Sequence, residues 1–221
     1  MDLFKYFSEA LRSLLGNGLV IKLAVLFLPF LLREKLYQSV ITYRIERLRG
    51  FQPTLTPVVE QAILAHREVF DRKLDSKDKI IYAALKITAD LLTFDGDSTD
   101  QIDPISIYQS ETVNSTSFAA FFSATLQYLL VKNKLSDRYT CQQYLAQRRQ
   151  NGVNLSDRYR SPYGGSAFKS ERDIVAIIDR KTGEKHFVDP TLFEQTSIVG
   201  IHVEGYDTPS VSKTSAQISE Q

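Results

Sequence analysis

The chain has 221 residues, 43% of them hydrophobic, and 27 basic against 26 acidic side chains give a net charge of +1. That length buries one substantial core, so one domain with an N-terminal extension is the expected organisation. A near-neutral balance supplies no long-range field for nucleic acid or a polyanionic substrate, and the single cysteine, Cys141, excludes an intramolecular disulfide and a multi-cysteine zinc site.

Leu3, Phe4, Phe7, Leu11, Leu14 and Leu15 recur at helical spacing and form one apolar row. Residues 14–32 are the most apolar stretch, with Lys22 as their only charge; as a helix they would reach about 28 Å, close to the hydrocarbon thickness of a bilayer. This segment is the candidate membrane element. Lys22 near its centre and Pro29 near its end argue against a simple span, which leaves an interfacial segment, a core helix or an oligomer contact as alternatives. No small-residue cleavage site follows it, so it is expected to be retained. The basic residues after it, Arg33, Lys35, Arg44, Arg47 and Arg49, place the main domain on the cytoplasmic side.

Leu36–Leu48 reads as a continuing helix, and the stretch from Gly50 to Pro57 breaks it, which makes residue 50 the expected domain boundary. Pro57 suits the first position of a new helix, and Asp75 and Ser76 cap another whose Ile80, Ile81, Ala84, Ile87, Leu91 and Leu92 recur at helical spacing. His66 falls on a charged helix face and reads as solvated. Residues 94–112 read as a polar loop with Asp95, Asp97, Asp100 and Asp103. Asp95 to Thr99 matches a short Asp-x-Asp-x-Thr phosphotransferase pattern, but a helix rather than a strand precedes it and no Asp-Asp pair follows. An EF-hand fails because Gly96 stands at the second loop position. No metal and no cofactor is expected, since His66, His186 and His202 lie in unrelated segments.

Val113–Leu130 reads as a central helix with a polar first turn, Asn114, Ser115, Thr116 and Ser117, of which Ser115 is the expected N-cap. Asp137–Tyr144 reads as a strand, although Gln142–Gln150 also suits a helix. Residues 149–171 form a long polar connection in which Arg149, Arg158, Arg160, Tyr159 and Tyr163, with the preceding Arg148, offer a recognition surface, a plain solvated loop being the alternative. A hairpin follows, Ile174–Ile178 and Lys185–Val188, turning at Gly183. His186 reads as an exposed strand position. A last strand, Ser197–Val203, precedes a tail, residues 205–221, whose composition predicts disorder. The sequons at Asn114 and Asn154 carry no meaning in a domain expected to face the cytoplasm.

Two segments together resemble the transglutaminase-like family of papain-like hydrolases. The run Val113-Asn-Ser-Thr-Ser-Phe118-Ala119 is similar to the family's Gly-x-Cys-x-x-Phe-Ala, which puts Ser115 at the cysteine. Val188-Asp189-Pro190-Thr191 is similar to its Asp-Pro-Thr strand, and counting back puts Asp173 at the histidine. The resemblance spans roughly residues 75–195 and implies a relic triad, Ser115, Asp173 and Asp189, in which only the aspartate is retained. Its chemistry is degraded: a thiol can be drawn to thiolate by a neighbouring imidazolium, whereas a serine needs a base that titrates near the working pH, and a carboxylate is a poor one. Paired in one site, Asp173 and Asp189 would raise one another's pKa rather than activate Ser115.

The expected architecture is α+β: a helical N-terminal half, a central helix, and a small antiparallel sheet packed on it. The expected function is a non-catalytic transglutaminase-like binding or assembly module with a protein partner, tethered through residues 14–32. The alternatives are a hydrolase or acyltransferase using Ser115 or Cys141, and a structural subunit of an oligomer.

Overall fold

The computed structural model describes residues 32–50, 54–70, 73–154 and 171–206. Most of the candidate membrane segment, residues 155–170 of the polar connection, and the tail beyond Tyr206 lie outside the described residues. The chain divides into two compact units, residues 1–37 and 38–221. The division falls before Ile41 rather than in the Gly50–Pro57 stretch. Among the described residues no helix is long and apolar enough to cross a membrane.

The second unit is α+β. Its strands are β1 (Ile41–Leu48), β2 (Thr93–Phe94), β3 (Thr112–Val113), β4 (Tyr139–Gln150), β5 (Val153–Asn154), β6 (Glu171–Asp179) and β7 (Lys185–Val188). Its helices are α1 (Pro57–Ala65), α2 (Arg67–Phe70), α3 (Lys77–Leu91), α4 (Pro104–Ser110), α5 (Ser115–Lys132) and α6 (Pro190–Thr196). The larger sheet runs β1-β4-β6-β7, antiparallel throughout, with β5 paired to the end of β4.

Local signals explain several elements. Pro57 opens α1, and Ser76 caps α3 by accepting from Lys79 N at 3.4 Å. Gly183 turns the β6–β7 hairpin with φ of 76°, a backbone angle that favours glycine. Thirteen of the eighteen residues of α5 are buried. A helix apolar on all sides belongs in the middle of a core, and α5 lies between α3, α4 and α6 on one side and β4 and β6 on the other.

Four expectations are corrected. Residues 32–40 are helical, but Ile41–Leu48 is a strand: Tyr43 is fully buried and the segment pairs with β4, from Ile41 opposite Gln150 to Leu48 opposite Tyr144. A ladder partner a hundred residues away overrides the local helical pattern. Residues 94–112 hold a parallel β2–β3 pair and helix α4, capped by Asp103, rather than a plain loop. The strand after the central helix extends through Gln150, leaving no helix there. Residues 197–203 are irregular and contribute one isolated bridge, Val203 to Tyr43.

That bridge closes the sheet. Ile201 N donates to Phe187 O on β7 at 3.1 Å, Tyr43 N donates to His202 O at 2.9 Å, and Glu204 N donates to Tyr43 O at 2.8 Å. Residues 201–204 thereby join the two outermost strands, β7 and β1, into a ring. The side facing α5 carries Tyr139, Cys141, Val175, Ile177 and Val188 in the main core, while Tyr43, Ala146, Ile174, Ala176 and Phe187 are buried on the other.

His186 is half-buried, not exposed, because its cross-strand partner is Ile177 on the core side. Its Nε2 has no hydrogen-bond partner among the described residues. Burial, reinforced by Lys77 and opposed by Asp78, lowers its pKa to about 4. The unfolded chain therefore takes up a proton between pH 6.5 and 4 that the folded chain refuses, so stability present above pH 6.5 is lost as pH falls. The contribution is about 2–3 kcal/mol at pH 4.5. Urea midpoints at pH 7 and 4.5 should show a larger acid loss in the natural chain than in His186→Gln; equal losses would remove His186 as the cause. His66 is also not simply solvated: its Nε2 lies 3.1 Å from Asp90 Oδ2 and its Nδ1 accepts from Glu68 N.

Candidate functional site at the N-terminus of the central helix

The first turn of α5 holds the residues that the resemblance singles out. Its N-cap is Asn114, not Ser115: Asn114 Oδ1 accepts from Ser117 N at 3.1 Å, and Ser115 is the first helical residue. Asn114 has the longer reach and a second use, since its Nδ2 donates to Ser98 O at 3.0 Å and also to Asp100. Gln101 N donates to Ser117 Oγ at 2.8 Å. The segment 98–101 is thereby fastened across the start of the helix. The Ser115 hydroxyl is half-exposed and makes no side-chain hydrogen bond among the described residues.

Asp173 faces the turn next to Ser115 rather than Ser115 itself. Thr116 Oγ1 donates to Asp173 Oδ2 at 2.9 Å, and Gln143 Nε2, from β4, donates to Asp173 Oδ1 at 2.9 Å and to Thr116 O at 3.2 Å. Arg49 arrives from the end of β1 and grips the carboxylate with two bonds, Nε to Oδ1 at 2.8 Å and Nη2 to Oδ2 at 3.0 Å. Its own main chain is held by Gln143, whose carbonyl accepts from Arg49 N at 2.9 Å. Asp173 is 1% exposed. Buried carboxylates persist when paired and hydrogen-bonded, and four donors satisfy this one. The bond to Asp173 also raises the Arg49 pKa above its ordinary value, against the effect of burial.

Asp189 lies in a different environment. It caps α6: its Oδ1 accepts from Thr191 N and Leu192 N, both at 3.1 Å, and from Thr191 Oγ1 at 2.7 Å. Its Oδ2 accepts from Tyr43 OH on β1 at 2.9 Å. Strand alternation sets the two aspartates on opposite sides of the sheet. Val175 and Val188 are cross-strand partners and share a side; Asp173 keeps that side two residues earlier, and Asp189 takes the other one residue later. Among the described residues no side-chain hydrogen-bond partner is common to both.

No protein family, characterised protein or solved structure matches the chain.

The site's chemistry therefore rests on its own geometry. The structure brings Asp173 to the start of α5 but through Thr116, and it uses Asp189 to cap α6. A threonine hydroxyl donating to a carboxylate already clamped by a guanidinium has no free base to take its proton. Cys141 is no substitute nucleophile: it is buried, its Sγ lies 3.6 Å from Ser123 O, and burial pushes its pKa up to about 12. Among the described residues no cluster of three or more His, Cys, Asp or Glu side chains is placed to hold a metal ion.

Sequence reasoning missed Arg49, Gln143 and Tyr43. Each reaches its aspartate from β1 or β4, the two strands whose extent was misjudged. The one available signal was period-two alternation in Ile41, Tyr43 and Ile45.

Proposed function

We propose that the unit beginning at Gln38 is a non-catalytic domain of transglutaminase-like layout that serves as a binding or assembly module, held at a membrane or a larger complex through the apolar segment 14–32. The observation that carries this reading is the state of Asp173. At the position where the family keeps a titrating histidine stands a carboxylate with every near acceptor direction occupied by Arg49, Thr116 and Gln143. An arginine–carboxylate clamp is a fixed charge pair, the opposite of a group that must shuttle a proton at neutral pH. A central helix with a capped N-terminus, followed by a strand and a hairpin packed on it, supports the layout. The reading concerns the site and not the fold alone.

Covalent probes test it. The folded full-length chain should take no label from a fluorophosphonate, which reports activated serine and threonine, and none from iodoacetamide at pH 7, which should modify Cys141 only after urea is added. Ser115→Ala should leave stability within about 0.5 kcal/mol, whereas Asn114→Ala should cost about 1 kcal/mol through the lost cap. Labelling that vanishes in Ser115→Ala or Thr116→Val would restore the hydrolase reading.

A further inference from the structure

Aromatic rings converge on the side of the larger sheet that faces away from α5. Tyr144 on β4 stands opposite Ile174, and Phe187 on β7 stands opposite Ala176, so both project from the side of β6 that Ile174 and Ala176 mark. Ala176 is the smallest residue on that side of β6, and the two rings lean together across it, their centroids 6.3 Å apart. Tyr206 completes the group, its ring 5.0 Å from that of Phe187 at 62°. Gln142 Oε1 accepts from the Tyr144 hydroxyl at 2.7 Å, which fixes that wall.

Lys185, two residues before Phe187 on the same side, reaches into this group. Its ammonium lies 5.0 Å from the centroid of the Tyr206 ring and 5.8 Å from that of Tyr144. Among the described residues it makes no side-chain hydrogen bond or ion pair, so ring faces alone hold it. A plain ammonium is strongly hydrated and gives up water to enter such a seat, whereas a trimethylated one carries the same charge with no N–H to hydrate and is the cation that ring faces favour. Leu48, the cross-strand partner of Tyr144, is 53% exposed, and Tyr206 is 38% exposed, so apolar surface continues past the rings to meet the residues on either side of a bound lysine.

We propose that Tyr144, Phe187 and Tyr206 form a seat for a trimethylated lysine of a protein partner, with Lys185 as its occupant until the partner displaces it. Lys185 shows within the chain what the seat admits, an ammonium at the tip of a four-carbon stem. The proposal stands apart from the tether reading, since it uses no residue before Leu48.

The test uses the full-length chain and two fluorescein-labelled Gly-Ser peptides, one with a single central trimethyllysine and the other with lysine in its place. Anisotropy should report binding of the first at least about tenfold tighter than of the second. Tyr206→Ala should weaken that binding about fivefold or more, and Tyr206→Phe should retain it. Lys185→Ala should strengthen it about threefold or more by vacating the seat, the reverse of what losing an ordinary surface contact would do. Equal binding of the two peptides, or no binding at about 1 mM, would overturn the proposal. So would trimethyllysine binding that Tyr206→Ala leaves unchanged or Lys185→Ala weakens, since the peptide would then sit elsewhere. Capture by phosphatidylcholine vesicles that Tyr206→Ala abolishes, with neither peptide bound, would overturn it in favour of a choline headgroup.

Discussion

Arg49→Ala is expected to destabilise the second unit by about 3–5 kcal/mol, because it leaves Asp173 as a buried carboxylate without its countercharge. Asp173→Ala is expected to do less harm, about 2–3 kcal/mol, although it breaks the same pair. The asymmetry comes from exposure: the Asp173 side chain is 2% exposed and the Arg49 side chain 20%, so a stranded guanidinium can turn to water and a stranded carboxylate cannot. Thr116 and Gln143 would still donate to Asp173 in the first variant, but neutral donors do not replace a guanidinium. The double variant Arg49→Met with Asp173→Leu should regain most of the loss, since an apolar pair of similar volume is often as stable as the ion pair it replaces. Urea unfolding of the four proteins decides the matter. Arg49→Ala within about 1 kcal/mol of the natural chain would mean that the pair has no structural weight.

Asp189→Ala should cost about 2–4 kcal/mol, more than any ordinary cap deletion, since the carboxylate closes two structures at once. It caps α6 through Thr191 and Leu192, and it receives the hydroxyl of Tyr43 from the far edge of the sheet. Tyr43→Phe removes the second role alone and should cost about 1 kcal/mol, because Asp189 keeps three other donors. Hydrogen exchange should separate them further: Tyr43→Phe should speed exchange at the Tyr43 and Glu204 amides, which hold the ring closed, and leave α6 unchanged. A loss in Asp189→Ala no larger than about 1 kcal/mol would reduce it to a cap.

What could be read from the sequence was local. Pro57 at a helix start, Ser76 as a cap, the turn at Gly183 and the apolar run of α5 each carry their instruction within a few residues, and each forms as expected. Asn114, Ser115, Thr116 and Ser117 are all competent caps, and the choice of Asn114 depends on Ser98 and Asp100, which only the folded loop presents. The largest misreading was β1, whose alternation through Ile41, Tyr43 and Ile45 breaks off at the irregularity between Ile45 and Arg47 and whose partner lies about a hundred residues on. That error hid the site as well, since Arg49 and Tyr43 are the partners of Asp173 and Asp189 and both come from this region. Two aspartates that looked like the remnants of one catalytic group are bound to opposite ends of one unrecognised strand.

The ring of strands also sets an order in time. Thr42 and Glu204, which share a hydrogen bond beside the closing bridge, are 162 residues apart. On a ribosome adding residues at ordinary rates, Tyr43 would wait roughly ten to thirty seconds before the segment that shields it is made. Throughout that interval β1 keeps one open edge on a growing chain, so the first strand of the sheet to be made waits longest for its second neighbour.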